Sequence, residues 1–193
     1  MKNHKLLSVI IPTFNRPSLL KRALASILSS KYDNLEIIVV DDHSSEDNAS
    51  VVIPFQKQIP LVYLYNESNL YAEKSRRLGF EKAKGQYVVF CDDDDYYFDD
   101  NFFSQAVAMM EENPSLAFVS GNAFIFFESS GETHEHVLNV SGKMNGLLYL
   151  KSFQTGFDKP LSTFTTVFQR VALESEYVYF NDSSLYMSAL LWG

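Results

Sequence analysis

The chain has 193 residues, 46% hydrophobic and 15% aromatic, enough apolar side chain to bury a core in one domain of ordinary size. Its 16 basic and 24 acidic residues leave a net charge of -8, which excludes a general nucleic-acid binder, because little here would neutralise a phosphate backbone. The single cysteine, Cys91, excludes an intrachain disulfide and points to a reducing compartment.

At the start of the chain, Lys2 and Lys5 precede an apolar run over 6–11 that Pro12 breaks. The run is too short for a secretory leader, and no small-residue cleavage site follows it. No stretch approaches the roughly 20 apolar residues of a membrane span. The expected protein is soluble and cytoplasmic, the inner face of the membrane included.

Strand and helix signals then alternate. Residues 7–11 are a short apolar run suited to a strand buried on both faces. Leu19, Leu20, Ala23, Leu24, Ile27 and Leu28 recur at helical spacing, and Pro17 suits the first turn. Residues 36–40 are a β-branched run. Ser44 or Ser45 is placed to cap a short helix that Pro54 limits. A third strand is expected over 61–65 and a helix over 72–84, with Gly85 where a C-terminal cap belongs. Residues 86–91 are a fourth strand. Phe102, Phe103, Ala106, Val107 and Met110 form the stripe of a further helix that Asn113-Pro114 ends. Beyond it, 116–120 and 122–127 read as strands joined at Gly121, and 128–145 as a loop or hairpin region. Residues 163–168 read as another strand and 185–191 as the start of a last helix.

This alternation predicts an α/β fold, a mostly parallel Rossmann-like sheet with helices on both faces, which the second half extends. Ligands bind such sheets beyond the carboxyl ends of the strands. Pro12-Thr13-Phe14-Asn15 follows the first strand, Asp41-Asp42-His43-Ser44 the second and Asp92-Asp93-Asp94-Asp95 the fourth. Polar and acidic residues thus collect at one edge of the sheet.

The four-aspartate run is the sharpest feature. Adjacent carboxylates repel one another, so the run is costly unless something positive sits there. At the end of a buried strand alternate side chains point the same way, so Asp92 and Asp94 can converge on one cation. Oxygen ligands alone suit magnesium or manganese. A solvated acidic turn is the plainer alternative. Asp41 and Asp42 can accept a hydrogen bond from a base or ribose group, or simply cap a turn. Arg76 can hold a phosphate or a base edge, or lie on a solvated helix face. His43, His134 and His136 show no metal-ligand pairing, and no glycine-rich phosphate loop is present.

Four segments carry a resemblance. Ser8-Val9-Ile10-Ile11-Pro12-Thr13-Phe14-Asn15-Arg16 resembles the opening strand of family 2 glycosyltransferases, and Ile37 through Ser44 resembles their second strand with its paired aspartates. Asn69 through Gly79 resembles the segment before their acidic strand, with Tyr71 where the family usually has glycine. Gly85 through Asp95 resembles the strand leading into their DXD motif. The order and spacing agree over about the first half of the chain.

The resemblance implies a GT-A fold over 1–193 as a single domain. The donor half would be about 1–115, and the acceptor half, about 116–193, would be C-terminally incomplete. It implies an inverting transferase that moves a sugar from a nucleotide-sugar, UDP-hexose being expected, onto a saccharide or glycoconjugate acceptor in surface polysaccharide synthesis. Mn2+ or Mg2+ is the implied cofactor. Pro12, Asp42 and Arg76 would surround the nucleotide base, with Thr13, Asp41 and Asp93 beside them. Asp92 and Asp94 would flank the diphosphate and hold the metal. Thr165 through Arg170 resembles the strand that shapes the acceptor pocket. Asp182, in Asn181-Asp182-Ser183, occupies the place of the general base; a helix cap is its alternative reading. Two other functions remain open at this point: a non-catalytic nucleotide-binding module of the same fold, and a nucleotidyltransferase. The latter is disfavoured because Pro12 to Pro17 offers only Arg16 to a triphosphate.

Overall fold

The computed structural model describes residues 5–153, 155–174 and 180–192. Strands β1 (Leu7–Thr13), β2 (Leu35–Asp41), β3 (Leu61–Tyr65) and β4 (Tyr87–Phe90) alternate with helices α1 (Pro17–Leu28), α2 (Asn48–Gln56) and α3 (Tyr71–Lys82). Then follow α4 (Phe102–Glu112), β5 (Phe118–Ser120), β6 (Ala123–Phe127), β7 (Glu132–His136), α5 (Gly146–Lys151), β8 (Thr166–Gln169) and α6 (Asp182–Leu190). The main sheet has the order β3-β2-β1-β4-β8-β5. Its first four strands are parallel, and β8 runs antiparallel between β4 and β5.

Strand periodicity explains the layering. Every residue of β1 is buried, so alternate side chains feed two cores. Leu7, Val9 and Ile11 pack with Leu20, Leu24 and Ile27 of α1 and with residues of α2 and α4. Ile10 faces the other way, toward Phe80 of α3 and Leu185 and Tyr186 of α6. Helices therefore cover both faces. The buried positions of α1, Leu20, Ala23, Leu24 and Ile27, follow the 3, 4 and 7 spacing of an amphipathic helix.

The strand order reverses between β1 and β4: the chain winds outward through β2 and β3, then returns to place β4 on the other side of β1. Such a switch point opens a crevice at the carboxyl ends of the two strands. Ile10 pairs with Phe90, so the residues that leave β4 emerge level with Pro12 and Thr13.

Several local expectations change. Asp47, not Ser44 or Ser45, caps α2 by accepting from the Ser50 N–H at 3.0 Å, and the helix continues past Pro54 to Gln56. Gly85 does not cap α3, which ends at Ala83 with extended backbone. Its glycine requirement comes from packing: a Cβ there would lie 2.7 Å from the Ser8 backbone nitrogen. The two strands around Gly121 part company, β5 joining the main sheet and β6 forming a separate hairpin with β7. Residues 163–165 are a 3-10 turn that precedes β8. The second half thus extends the sheet through two short strands and adds a hairpin to it.

Candidate functional site

Three strand ends build the site. At the end of β1, Pro12 and Thr13 are buried, and Asn15 takes a left-handed backbone with φ 54°. Asparagine tolerates that region better than most side chains. There its Oδ1 accepts the N–H groups of Ser45 and Glu46 at 2.8 and 3.2 Å, while its own N–H donates to Ser44 Oγ at 2.8 Å. The loops after β1 and β2 are thereby stapled together.

After β2, Asp41 serves the loop itself. Its Oδ1 accepts from the Ser44 N–H at 2.8 Å, and its Oδ2 from Asn48 Nδ2 at 2.9 Å and the Tyr63 hydroxyl at 2.6 Å. With both oxygens engaged and the residue buried, Asp41 holds its neighbour in place. Asp42 is different. Its two side-chain bonds, from Asn66 Nδ2 and the Leu70 N–H at 2.8 Å each, both fall on Oδ1. Among the described residues none donates a hydrogen bond to its Oδ2. The Asp42 backbone N–H donates to Thr13 O at 2.9 Å, which sets it against the end of β1.

After β4 the chain turns at once, with the Asp95 N–H donating to Asp92 O at 3.1 Å. The strand alternation expected to align Asp92 with Asp94 stops there. Asp92 Oδ1 accepts from Arg76 Nη2 at 2.6 Å. Asp93 is buried and accepts from Thr13 Oγ1 at 2.8 Å and Arg16 Nη1 at 3.1 Å. Asp94 Oδ2 shares that same Arg16 nitrogen at 3.1 Å. Asp95 has its carboxyl pushed up to about 7, chiefly by burial and then by the charges of Asp92 and Asp94. Repulsion within the run is therefore relieved by two arginines and by a carboxyl that resists ionisation.

Arg76 links this turn to the second half of the chain. It projects from α3, with its side chain only 9% exposed. Nη2 holds Asp92, and Nη1 donates to Asp182 Oδ1 at 3.1 Å and to Phe180 O at 3.4 Å. Burial would pull the guanidinium pKa down, but the charges and hydrogen bonds of Asp92 and Asp182 more than reverse that. Asp182 also has Lys159 Nζ at 4.0 Å. It is not the cap of α6: Asn181 fills that role, its side chain accepting from the Ser184 N–H at 3.1 Å. Asp182 instead stands in the first helical turn, where the helix dipole favours its charge.

All the candidate residues thus lie on this edge, but in separate roles. Thr13, Asp93 and Asp94 cluster through Arg16, and Asp92 and Asp182 through Arg76. Asp41 supports Asp42. The resemblance puts Arg76 around the base, yet both its terminal nitrogens are committed to Asp92 and Asp182. Asp95 of the four-aspartate run and Arg16 belong to the same edge, and so do Asn66 and Lys159, which carry no local sequence signal that would have picked them out. A separate cavity of about 530 Å³, lined in part by Phe118, Tyr149 and Trp192, touches none of these carboxylates.

A family model described as "Glycosyl transferase family 2" matches residues 8–177. The chain belongs to this glycosyl transferase family. A relative from Campylobacter jejuni, named as a GalNAc(5)-diNAcBac-PP-undecaprenol beta-1,3-glucosyltransferase, is 33% identical over 188 residues. The match covers 96% of this chain and 58% of the relative. An uncharacterised Escherichia coli glycosyltransferase, YibD, is 28% identical over 77% of the chain and 42% of its own length. The chain thus spans about half the length of these two relatives. Among solved structures, S. aureus TarS 1-349 with UDP-GlcNAc superimposes with a TM-score of 0.70 at 20% identity. That match covers 96% of this chain and 53% of TarS 1-349. The mannosyltransferase PcManGT from Pyrobaculum calidifontis, solved with GDP-Man and Mn2+, gives 0.66 at 18% identity, covering 94% of this chain and 51% of that one. These likenesses show the GT-A fold expected from the sequence.

The donor set fits a divalent cation only in part. It is all oxygen, as magnesium and manganese prefer. Among the described residues, however, no group of three or more His, Cys, Asp or Glu side chains is placed to hold an ion. Such ions are commonly bound by one or two carboxylates completed by substrate phosphates. Among the described residues the acidic turn alone therefore makes no complete cation site.

Proposed function

We propose that the chain is the catalytic core of an inverting transferase that moves a hexose from a UDP-sugar onto an acceptor hydroxyl during assembly of a surface glycan or glycoconjugate. The observation that carries this reading is the Arg76 bridge. One buried guanidinium holds Asp92 of the acidic turn and Asp182 of α6 together. A diphosphate at the turn and a base at Asp182 would then serve one reaction space.

Asp92 and Asp94 would hold Mn2+ or Mg2+, which supplies Lewis-acid stabilisation of the departing diphosphate when bound. Asp42 Oδ2 accepts from the base or ribose, with Pro12, Thr13 and Asp93 forming the floor and Asp41 fixing the loop. Asp182 takes the acceptor hydroxyl proton as that oxygen attacks the anomeric carbon. The bond from that carbon to the diphosphate oxygen breaks, and its electron pair leaves on the diphosphate. A single displacement inverts the anomeric centre. Arg76 keeps Asp182 oriented for this step.

The name of the C. jejuni relative describes an undecaprenol-linked saccharide, which supports a lipid-linked acceptor and a place at the inner face of the membrane. No helix among the described residues is long and apolar enough to cross a membrane.

The test is UDP release from UDP-glucose and UDP-GlcNAc with a panel of saccharide acceptors, read beside nucleotide affinity. Asp182→Asn should lose most of the turnover and keep UDP affinity. Equal turnover in the variant would remove Asp182 as the base. A wild type that binds UDP but releases none from any donor would favour a binding module. Product NMR should show the anomeric configuration inverted.

A further inference from the structure

The two arginines that relieve the acidic turn differ in one respect. Arg76 is buried and committed on two sides, so it cannot leave. Arg16 has a side chain 51% exposed, and its Nη1 bridges Asp93 at 3.1 Å and Asp94 at 3.1 Å. Asp93 is a fixed anchor: it is buried and bonded from the other side by Thr13. Asp94 is the loose partner, 53% exposed. Its loop is pinned through the backbone instead, where Arg22 Nη2 donates to Asp94 O at 2.7 Å.

We propose that Arg16 is both the stand-in cation of the acidic turn and a diphosphate-binding residue: it holds Asp94 in the free protein and passes to a diphosphate oxygen when a metal-bound diphosphate arrives. This rests on the donor-site reading above and adds a residue that the DXD resemblance does not contain. The physical argument is competition for one place. Divalent metal to oxygen distances are about 2.1 Å, so a diphosphate oxygen sharing an ion with Asp94 lies within about 4 Å of its carboxylate. Arg16 Nη1 already lies 3.1 Å from Asp94 Oδ2. Two cations cannot share that carboxylate oxygen without repulsion. The guanidinium is displaced, but Asp93 keeps it tethered, and the nearest new anion is the diphosphate itself. A planar, permanently charged fork suits that exchange, because it can keep Asp93 on one nitrogen and offer others to phosphate.

The arrangement also accounts for an acidic turn that alone makes no complete cation site among the described residues. Free Mn2+ must displace Arg16 with nothing to receive it. Mn2+ arriving with a diphosphate brings the receiver along.

The experiment measures Mn2+ alone by the loss of its free-ion EPR signal, and UDP at saturating Mn2+ by calorimetry, for wild type, Arg16→Gln and Arg16→Lys. A charge-assisted hydrogen bond is worth enough to make each effect about tenfold. Arg16→Gln should bind Mn2+ alone about tenfold more tightly and UDP with Mn2+ about tenfold more weakly. Lysine, which keeps the charge without the fork, should fall between on both. Urea midpoints within error of wild type show that the fold is unaffected; the lysine variant carries the test if glutamine disturbs it. Mn2+ binding that is unchanged or weaker in Arg16→Gln, or absent in all three proteins, overturns the stand-in role. Unchanged UDP affinity overturns the diphosphate role. A wild type that takes up no UDP at any Mn2+ concentration refutes the donor site instead, and the Mn2+ measurement still decides whether Arg16 shields Asp94.

Discussion

Removing the Arg76 guanidinium should both weaken the fold and uncouple Asp92 from Asp182. In Arg76→Met the apolar stem of the side chain is roughly retained, while two carboxylates lose their shared cation. Breaking a fully buried pair by deleting one partner costs about 3–5 kcal/mol. Here the survivors, Asp92 and Asp182, keep side-chain exposures of 34% and 36%, so water recovers part of that loss. A cost of about 2 kcal/mol follows. For a chain of this size that lowers the melting temperature by roughly 4–8 °C. Trp192 is the single tryptophan and packs against the core beside α6, so its fluorescence through a urea titration reports the loss directly. The decisive comparison is a double-mutant cycle with Asp182→Asn. If one guanidinium joins the two carboxylates, Arg76→Met should cost about 1 kcal/mol less in the Asp182→Asn background. Costs that add to within about 0.3–0.5 kcal/mol would refute the bridge.

Three further outcomes are expected. Tyr71 stands at φ 65° and is 78% exposed, so Tyr71→Gly should relieve left-handed strain and stabilise the fold by about 1 kcal/mol, read as a higher urea midpoint. A lower midpoint would mean that the exposed ring makes stabilising contacts. Gly85→Ala should destabilise by about 2–3 kcal/mol, because its Cβ would meet backbone at 2.7 Å on both Ser8 and Tyr87 and neither strand can give way. A midpoint unchanged from wild type would contradict that packing. Cys91 is fully buried, its thiol pushed up by burial and then by the charges of Asp95 and Asp92, so iodoacetamide should label it only on unfolding. Rapid labelling of native protein at neutral pH would contradict its burial.

Much of the site could be read in the sequence, because buried parallel strands announce themselves. β1, β2 and β4 are mostly apolar runs, and each is followed by polar residues that meet at one edge of the sheet. Tyr71 shows in the sequence only as a departure from the resemblance, and its left-handed backbone only in the structure. What could not be read depends on long-range contact. Arg16 meets Asp93 across 77 residues and Arg76 meets Asp182 across 106. No periodicity or local motif encodes such pairings. The same holds for β5, whose place at the sheet edge depends on β8 from later in the chain. Period-two reasoning failed at Asp92 to Asp95 because the chain turns there, which strand alternation cannot foresee. Asn181 and Asp182 are both good caps by composition, and only the geometry separates the residue that caps from the one that faces Arg76.

In the proposed reading, the edge formed by Thr13, Asp42 and the acidic turn binds a nucleoside diphosphate with a divalent metal. Calorimetry with UDP, GDP, CMP and ADP, each with and without Mn2+, tests it most directly. Metal-dependent binding of one diphosphate, UDP, is expected, and it should weaken in Asp94→Asn while the urea midpoint stays put. Absence of binding by all four nucleotides would contradict it, and so would UDP affinity that neither Mn2+ nor Asp94→Asn alters.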